Sequence, residues 1–539
     1  MKQIRISYTA LRTKWILTVA LFVIPATTCV AGLQAESKTG SWGDQGNGTY
    51  INPILNADYS DPDVCRVGEK YYMVCSEFHY MGMPVLESDD MVNWKIITQI
   101  YTRLNFPDYD NINGYGNGSW APAIRYHAGK FWVYFCTPTE GLFMTTASKP
   151  EGPWAPLVEV KHVEKWEDPC PFWDEDGNAY LGHSVYGAGP IIIHKMSPDG
   201  TRLLDDGFTV YTGPVAEGVK MHKKDGYYYI SIPEGGVPVG WQTILRSKNI
   251  YGPYEKKVVL EQGTTNINGP HQGAIVETPE GEWWFYHFQS SDALGRVVHL
   301  QPMHWHDGWP VIGVDIDQNG IGEPVYVWKK PATGKSSAIS APQADDDFNA
   351  PALGLQWQFN HNADNSAWSL TEKPGYLSLK ALRSDSFLKA KNTLTQKTMG
   401  ASGEAVAALE TAGLTEGQKA GLCSFGSLYG LIGVYRIDGK NYLFFETNKN
   451  DKLHFEKQPL SAKVIYLKLK FDFISNKNHF YYSTDNKHFI HFGEDFGAVF
   501  SFWKGTRVGL FSYNEQTNGG NALFNWFKYD YEGPKRTKN

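Results

Sequence analysis

The sequence lacks the features that mark nucleic-acid-binding, disulfide-bonded and zinc-binding proteins. It carries 50 Lys and Arg against 57 Asp and Glu, a net charge of -7, so no basic excess exists and no nucleic-acid partner is expected. Beyond the N-terminal segment, five cysteines show neither a disulfide framework nor a zinc-ligand spacing. They are Cys65, Cys75, Cys136, Cys170 and Cys423, and we expect buried, unpaired thiols.

Long apolar runs are also scarce, and no run outside the N-terminus is long enough to cross a bilayer. Residues 1–35 combine a basic start with the apolar stretch Trp15–Ile24 and small residues before a cleavage point after Ala31 or Ala35. This pattern predicts a signal peptide and a secreted, periplasmic protein without a membrane span. Lipidation at Cys29 is an alternative, although the residues before it lack the usual large apolar side chain.

A hairpin pattern recurs through the first two-thirds of the chain. Its clearest copy is Glu217–Ile232, where alternating residues lead into the turn Asp225-Gly226 and a tyrosine-rich strand. Turn glycines followed by aromatic strands return every roughly 50 residues, at Gly68, Gly129, Gly177, Gly226 and Gly281. Five such units, with no convincing helix, predict an all-β fold whose first domain is a five-bladed β-propeller over residues 50–328.

Each repeat opens with a polar or aromatic residue seven to ten positions before its turn glycine. In a propeller the first strand of every blade lines the central channel, so equivalent opening residues are expected to converge there. The five opening residues are Asp61, Trp120, Asp168, Glu217 and His271. Three carboxylates brought together in this way are costly unless a reaction uses them.

Several of these residues also allow plainer interpretations. Asp61 and Asp168 each precede a proline, which we expect to hold Asp61 in an extended conformation, although turn Asp-Pro pairs are common. Trp120 is either a sugar platform or core, and Phe78 either meets substrate or packs. His271 binds a metal or water, orients a carboxylate, or is simply hydrogen-bonded.

The second half of the chain differs in composition. Residues 36–50 are polar and glycine-rich and are expected to be flexible, and residues 329–346 have the composition of a linker. Beyond the linker, alternating strands at short spacing over residues 346–532 predict an accessory β-sandwich. No carboxylate constellation is recognisable in that domain.

Paired carboxylates in a rigid scaffold suit glycoside hydrolysis. One carboxyl group must donate a proton to the leaving oxygen while another activates water. A third carboxylate close to the acid raises its pKa by like-charge repulsion and keeps it protonated near neutral pH. Residues Asp61, Asp168 and Glu217 match this requirement, and in a shared site they titrate as a coupled set.

Five motifs then point to one family. S-D-P-D-V, N-G-S-W-A-P, E-D-P-C-P-F-W-D-E-D-G, A-E-G and G-P-H-Q-G occur in the order typical of glycoside hydrolase family 43, which the chain resembles over residues 50–325. The resemblance implies Asp61 as general base, Glu217 as general acid and Asp168 as the residue that tunes the acid. It places His271 and Arg296 near the centre, in some members with a calcium ion or water beside the histidine; no cofactor is required.

Residues 346–532 resemble the accessory β-sandwich of a branch that contains β-xylosidases and α-L-arabinofuranosidases. The whole chain is most similar to secreted Bacteroides arabinofuranosidases that trim hemicellulose side chains, xyloglucan among them. We therefore expect an oligosaccharide substrate and exo-acting, inverting removal of terminal α-L-arabinofuranosyl units. The alternatives are a β-D-xylosidase on the same residues, a sugar-binding propeller without turnover, and a retaining fructan hydrolase.

Arg296 is a charge partner for Asp168 or Glu217, or a surface residue.

Overall fold

The computed structural model describes residues 41–79, 81–335, 337–449 and 452–534. Within these residues the fold is all-β, and the helical elements are two single-turn 3₁₀ segments, Asp292–Leu294 and Phe387–Lys389. None of the described residues forms a helix that could span a membrane. The predicted signal peptide and Cys29 lie outside the described residues.

Five antiparallel sheets follow one another in the first part of the described chain. The first contains Asp63–Val67, Lys70–Val74, Pro84–Ser88 and Lys95–Gln99. The second contains Glu77–Phe78, Gly118–His127, Lys130–Thr137, Gly141–Ala147 and Val158–His162. The third contains Trp166–Trp173, Ala179–Val185, Ile191–Met196 and Phe208–Tyr211. The fourth contains Lys220–Lys224, Tyr227–Glu234, Trp241–Ser247 and Glu255–Leu260, and the fifth Ile275–Glu277, Trp283–Ser290, Arg296–His306 and Trp309–Ile312.

The fourth sheet shows why these sequences form hairpins. Strands Lys220–Lys224 and Tyr227–Glu234 pair in register around Asp225 and Gly226, whose φ angles are 51° and 76°. Two consecutive left-handed residues give a turn whose twist matches that of the flanking strands, and Asp-Gly is a favoured pair for it. Ile230 and Ile232 then pack in an apolar cluster with Cys170 of the preceding sheet. The predicted hairpin is confirmed.

The opening strands of the sheets lie beside one another. Asp63–Val67 contacts Gly118–His127, which contacts Trp166–Trp173, which in turn contacts Lys220–Lys224. Ile275–Glu277 of the fifth sheet contacts Asp63–Val67 of the first. The starts of these strands, where the predicted site residues lie, are therefore held at one place.

The predicted flexibility of residues 36–50 is wrong for the described part of that segment. Gly43–Asp44 and Thr49–Ile51 form a small sheet with Val327–Lys329, so the two ends of the first region are joined by backbone hydrogen bonds. Trp42 and Tyr50 are fully buried in the core. Burial of these two large aromatic side chains outweighs the glycine-rich composition of their neighbours.

The predicted conformation of Asp61 is also wrong. Its φ is 54° and that of Asp168 is 58°, so both residues are left-handed rather than extended. Corresponding left-handed residues in the other three opening segments are Ala121 at 40°, Gly218 at 64° and Gln272 at 40°. In the second and third sheets the pairing register shifts at this point, as at a β-bulge, which re-aims a side chain beside a site.

This conformation also corrects the predicted equivalence of the opening residues. Asp61 and Asp168 occupy the left-handed position itself, whereas Trp120, Glu217 and His271 each lie one residue before it. Spacing to the turn glycine missed this difference because the turns differ in length: Gly226 is the second residue after Lys224, whereas Gly177 is the fourth after Trp173. The opening residues therefore form two neighbouring tiers instead of one ring.

The second region contains two packed sheets, as predicted for a β-sandwich. One is formed by Gln358–Phe359, Leu382–Arg383, Leu394–Lys397, Gln418–Phe425, Tyr429–Ile437, Lys440–Lys449, Lys452–Pro459 and Arg507–Asn514. The other is formed by Trp368–Ser369, Leu377–Lys380, Ser402–Glu410, Val464–Asp472, Lys477–Ser483, Ile490–His491 and Asn521–Tyr531. Alternate residues of Val464–Asp472 are buried, which is the pattern of a strand with one face on a core.

Residues 329–346 do not behave as a free linker. Lys330 donates to Asp44 at 2.5 Å and to Asp90 at 2.6 Å, and both carboxylates are almost completely buried. Ala341 and Ala344 are buried in the same apolar core as residues of both regions. The segment is therefore packed against the first region, because its small side chains and Lys330 find buried partners there.

Candidate active site

One cavity of about 350 Å³ lies where the opening strands of the sheets meet. Six of the seven predicted site residues line it: Asp61, Phe78, Trp120, Asp168, Glu217 and Arg296. The seventh, His271, is buried directly behind Glu217. Residues far apart in the chain are thus brought to a single pocket, as the sequence predicted.

Asp61 is almost fully buried and is held by Arg296 of the fifth sheet and by Ser76, which lies between the first and second sheets. Arg296 Nη1 donates to its Oδ1 at 3.1 Å and approaches Oδ2 at 3.4 Å. Ser76 Oγ donates to Oδ2 at 2.5 Å and itself accepts the Ala121 backbone N–H at 2.7 Å. An ionised carboxylate fixed in this way can accept a proton from a water molecule in the cavity.

The contacts of Arg296 answer the question that its sequence position left open. Its ion pair is with Asp61. The surface alternative is wrong, because Arg296 is buried. Of the two predicted charge partners, Glu217 is close enough for the charge of Arg296 to lower its pKa, although the ion pair itself is with Asp61. The guanidinium lies 4.9 Å from the ring centroid of Phe288 and 5.6 Å from that of Phe500, a residue of the second region. Two aromatic faces therefore hold this buried cation in place.

Asp168 is surrounded by hydrogen-bond donors. Ser184 Oγ donates to Oδ2 at 2.6 Å, the Gly218 backbone N–H donates to the same oxygen at 2.7 Å, and Gln272 Nε2 donates to Oδ1 at 2.8 Å. Burial raises the pKa of Asp168, and the nearby charge of Glu217 raises it further. The donors fix the carboxyl group beside Glu217 and limit that increase.

Glu217 is the partner of His271. The His271 Nε2 atom lies 3.0 Å from Glu217 Oε1. Burial pushes the pKa of Glu217 upward, but the hydrogen bond and charge of His271 and the charge of Arg296 outweigh it, so the pKa lies below its usual value. His271 therefore orients a carboxylate, which is one of the roles that the sequence left open.

Glu167 is a fourth carboxyl group that the sequence analysis did not select. It lines the same cavity, and its carboxylate oxygen lies within 4.8 Å of those of Asp168 and Glu217. Burial together with the charges of Asp168 and Glu217 raises the pKa of Glu167 to about 9. In the structure Glu167 precedes a left-handed residue, as Glu217 precedes Gly218; the sequence offered only the acidic residue beside Asp168 in E-D-P-C-P.

Aromatic side chains form the mouth of the cavity. Phe78 and Trp120 meet edge to face at 6.2 Å, and Tyr186 lies 5.8 Å from Trp120. Trp503 of the second region completes the group at 6.5 Å from both Trp120 and Tyr186. Such aromatic faces suit stacking against sugar rings. The indole N–H of Trp120 donates to the Gly116 carbonyl at 2.8 Å, which fixes the orientation of its ring.

Trp503 is placed by a loop that docks on the first region. Lys504 is buried and donates from Nζ to the Phe78 carbonyl at 2.9 Å. The Gly505 backbone N–H donates to Asp58 Oδ2 at 3.1 Å. The accessory β-sandwich therefore contributes directly to the wall of the pocket, although its sequence contains no carboxylate motif.

The calcium ion that the resemblance associates with some family members has little support from the residues around His271. Calcium prefers six to eight oxygen ligands. Among the described residues, the groups of three or more candidate side-chain ligands do not include His271, whose Nδ1 has no partner. The calcium ion stays a prediction.

Two family models match the chain, one in each of its two regions. The model of glycosyl hydrolases family 43 matches residues 50–310, and the model of the β-xylosidase C-terminal concanavalin A-like domain matches residues 345–530. The chain belongs to glycoside hydrolase family 43 and is a glycoside hydrolase, with the family's propeller followed by a concanavalin A-like domain. The predicted family is confirmed.

Relatives are similar over most of the chain. A Xylanibacter ruminicola protein, provisionally named a β-xylosidase, is 55% identical over 88% of both chains. A β-xylosidase of Formosa agariphila is 41% identical over 93% of both chains. The non-reducing end α-L-arabinofuranosidase BoGH43B of Bacteroides ovatus is 33% identical over 62% of this chain and 65% of its own.

Solved structures share the fold. The BlXynB protein of Bacillus licheniformis, a family 43 member, has a TM-score of 0.79 at 30% identity, covering 89% of this chain and 99% of its own. A bifunctional family 43 protein of Bacteroides eggerthii has a TM-score of 0.81 at 33% identity. The match covers 90% of this chain and 64% of that longer one. The architecture of both regions is thus shared with known structures.

Proposed function

We propose that the protein is an exo-acting, inverting β-D-xylosidase that removes terminal xylosyl units from hemicellulose oligosaccharides. Two relatives that match most of the chain are named β-xylosidases, one of them provisionally. The comparisons therefore favour a β-xylosidase over the arabinofuranosidase expected from the sequence. The observation that carries the reaction is the meeting of Asp61, Asp168 and Glu217 in one pocket.

The chemistry follows from the contacts of these carboxyl groups. Asp61, paired with Arg296, activates a water molecule that attacks the anomeric carbon opposite the leaving oxygen. Glu217, in its protonated form, gives a proton to that oxygen. The carboxyl group of Asp168 lies beside Glu217, and the repulsion between their negative charges favours keeping a proton on the pair. Inversion requires a separation of about 6.5–9.5 Å between acid and base, whereas a retaining fructan hydrolase requires about 5 Å.

The shape of the site supports exo action. A cavity of about 350 Å³ is near the lower end of the range for small-molecule sites, about 300–1,000 Å³. Tyr186 and Trp503 flank its mouth. These features suit the end of a short sugar chain, with the terminal sugar inside and the next unit between the aromatic side chains.

An α-L-arabinofuranosidase acting on xyloglucan or arabinoxylan side chains is the second candidate. The name of the Bacteroides ovatus relative supports it. Both sugars are pentoses, and the same acid and base serve either one. The sugar preference therefore depends on the pocket wall and is decided by experiment.

Hydrolysis of p-nitrophenyl β-D-xyloside and α-L-arabinofuranoside by the wild type, Asp61→Asn and Glu217→Gln tests these proposals. We expect faster release from the xyloside and a loss of about 10²–10⁴-fold in Asp61→Asn. In Glu217→Gln we expect a loss of that size on xylobiose and a smaller one on the p-nitrophenyl glycosides, whose leaving group needs little protonation. Asp176→Asn, in an exposed turn outside the pocket, is the matched control and keeps full activity. Binding of xylo-oligosaccharides without turnover would favour the non-catalytic alternative, and NMR of the first anomer released decides between inversion and retention.

The remaining features of the architecture and location are also proposals. We propose that the five sheets are the five blades of one closed propeller over residues 50–328, followed by the sandwich over residues 346–532. We further propose that residues 1–35 are a signal peptide and that the mature enzyme is periplasmic. Fractionation with N-terminal sequencing tests the location, and labelling with a radioactive fatty acid tests lipidation at Cys29.

A further inference from the structure

Glu167 occupies a place in the site that the roles of the other three carboxyl groups leave unexplained. It is adjacent to Asp168 on the opening strand of the third sheet, and each of Glu167 and Glu217 precedes a left-handed residue. The two glutamates therefore lie on the same tier of neighbouring opening strands. Their carboxylate oxygens and that of Asp168 are mutually within 4.8 Å.

The charges around this cluster are unevenly distributed. Asp61 is paired with Arg296, and Glu217 with His271. The charge of Lys220 lowers the pKa of Asp168, which also accepts three hydrogen bonds.

Glu167 lacks the ion pair and the set of hydrogen-bond donors that the described residues provide to the other three carboxyl groups. Its buried Oε1 has no hydrogen-bond partner among the described residues, and the charged groups acting on it are Asp168, Glu217 and Asp61. A hydrogen bond from the backbone N–H of Ala188 lowers its pKa, but burial and the negative charges outweigh it. Because the charges that act most strongly on it are negative, Glu167 is the member of the cluster on which a proton is most favourable.

We propose that Glu167 is a positioning residue of the reaction, which holds the exchangeable proton of the empty site and supplies it to Glu217 when substrate binds. The proposal rests on the proposed function, since it assigns Glu217 as the acid. The pKa shifts agree with it: that of Glu167 is raised to about 9, whereas that of Glu217 is lowered. At neutral pH the proton therefore resides on Glu167.

The transfer is balanced and needs no other reactant. The O–H bond of the Glu167 carboxylic acid breaks and an O–H bond forms on the Glu217 carboxylate, so the negative charge moves from Glu217 to Glu167. A separation of up to 4.8 Å is within reach of a single bridging water. Glu217 then protonates the leaving oxygen, and the proton taken from water by Asp61 returns to the cluster through solvent.

The pH profile of kcat/KM for Glu167→Gln tests the inference, because glutamine keeps the shape of the protonated side chain but cannot release a proton. Its basic limb is expected to move to lower pH by about one unit or more. At neutral pH we expect cleavage of xylobiose to fall about tenfold or more, while the p-nitrophenyl xyloside, whose leaving group needs little protonation, loses much less. Glu164→Gln, an exposed carboxylate in the same segment, is the control and keeps the wild-type profile.

An unchanged basic limb in Glu167→Gln, or equal losses on both substrates, would overturn the inference. If Glu167→Gln does not fold, the wild type still decides the question. Infrared or ¹³C NMR spectra of protein labelled at the glutamate carboxyl group are expected to show a protonated glutamate at neutral pH, and its absence would refute the proposal. Absence of turnover of both glycosides by the wild type would instead refute the proposed function.

Discussion

Gly218 has no space for a side chain, and Gly218→Ala is therefore expected to damage both folding and activity. Its φ is 64°, and an added Cβ would lie 2.5 Å from Pro233 Cδ and 3.1 Å from Gln272 Cγ. The neighbouring proline ring is rigid and cannot move away easily. Gln272 and the Gly218 N–H both donate to Asp168, so any displacement is transmitted to that carboxylate.

The loss of stability expected for Gly218→Ala has two contributions. A left-handed conformation costs a residue other than glycine about 1–2 kcal/mol, and overpacking costs about 1–3 kcal/mol, which together give about 2–5 kcal/mol of lost stability. Gly226 is the matched control, since its φ is 76° but nothing lies within 4 Å of an added Cβ. Gly226→Ala is therefore expected to lose only about 1–2 kcal/mol.

The effect on catalysis is estimated separately. Hydrogen bonds to charged groups contribute about 1.5–3 kcal/mol, so weakening the bond from Gly218 to Asp168 lowers kcat/KM by about 10- to 150-fold. Urea denaturation and xyloside hydrolysis of the two alanine variants measure the two effects. If Gly218→Ala is as stable and as active as Gly226→Ala, the reasoning from close approach is refuted.

Three further predictions concern His271, Lys330 and Trp503. His271→Leu removes the hydrogen bond and charge that hold the pKa of Glu217 down, so burial raises that pKa. In the Glu167→Gln background, where Glu217 alone carries the acid's proton, the basic limb of the kcat/KM profile moves to higher pH, and a shift to lower pH would contradict this. Lys330→Met leaves the carboxylates of Asp44 and Asp90 facing each other in the core, and thermal unfolding is expected to show a loss of about 3–5 kcal/mol; no loss would show that the ion pairs contribute little. Trp503→Ala removes an aromatic wall of the mouth, so KM for xylobiose rises more than kcat falls, whereas an unchanged KM would remove Trp503 from the substrate site.

The repeat of turn glycines and aromatic strands predicted the class of fold well, because each hairpin is encoded locally. The same is true of the later strands, such as Val464–Asp472, whose alternation matches its burial. The left-handed residues of the opening strands were not predictable from spacing. Asp61 before Pro62 was expected to be extended, but it is left-handed and is held by Arg296, a contact between residues far apart in the chain.

The candidate site was predictable where several motifs shared one chemistry. Asp61, Asp168 and Glu217 were found because carboxylates recurred at related positions. Glu167 was missed since it adjoins Asp168 in a motif already assigned to one acid. Trp503 carries no local signal, because its contribution depends on how one loop of the sandwich docks on the other region.

The loop around Lys504 has a consequence for engineering. A fragment ending before the sandwich would lack Phe500 against Arg296 and would leave one wall of the pocket open to bulk water. An engineered fusion or a chimera made from homologues therefore has to include both the first region and the sandwich. Both regions are therefore needed to complete the pocket.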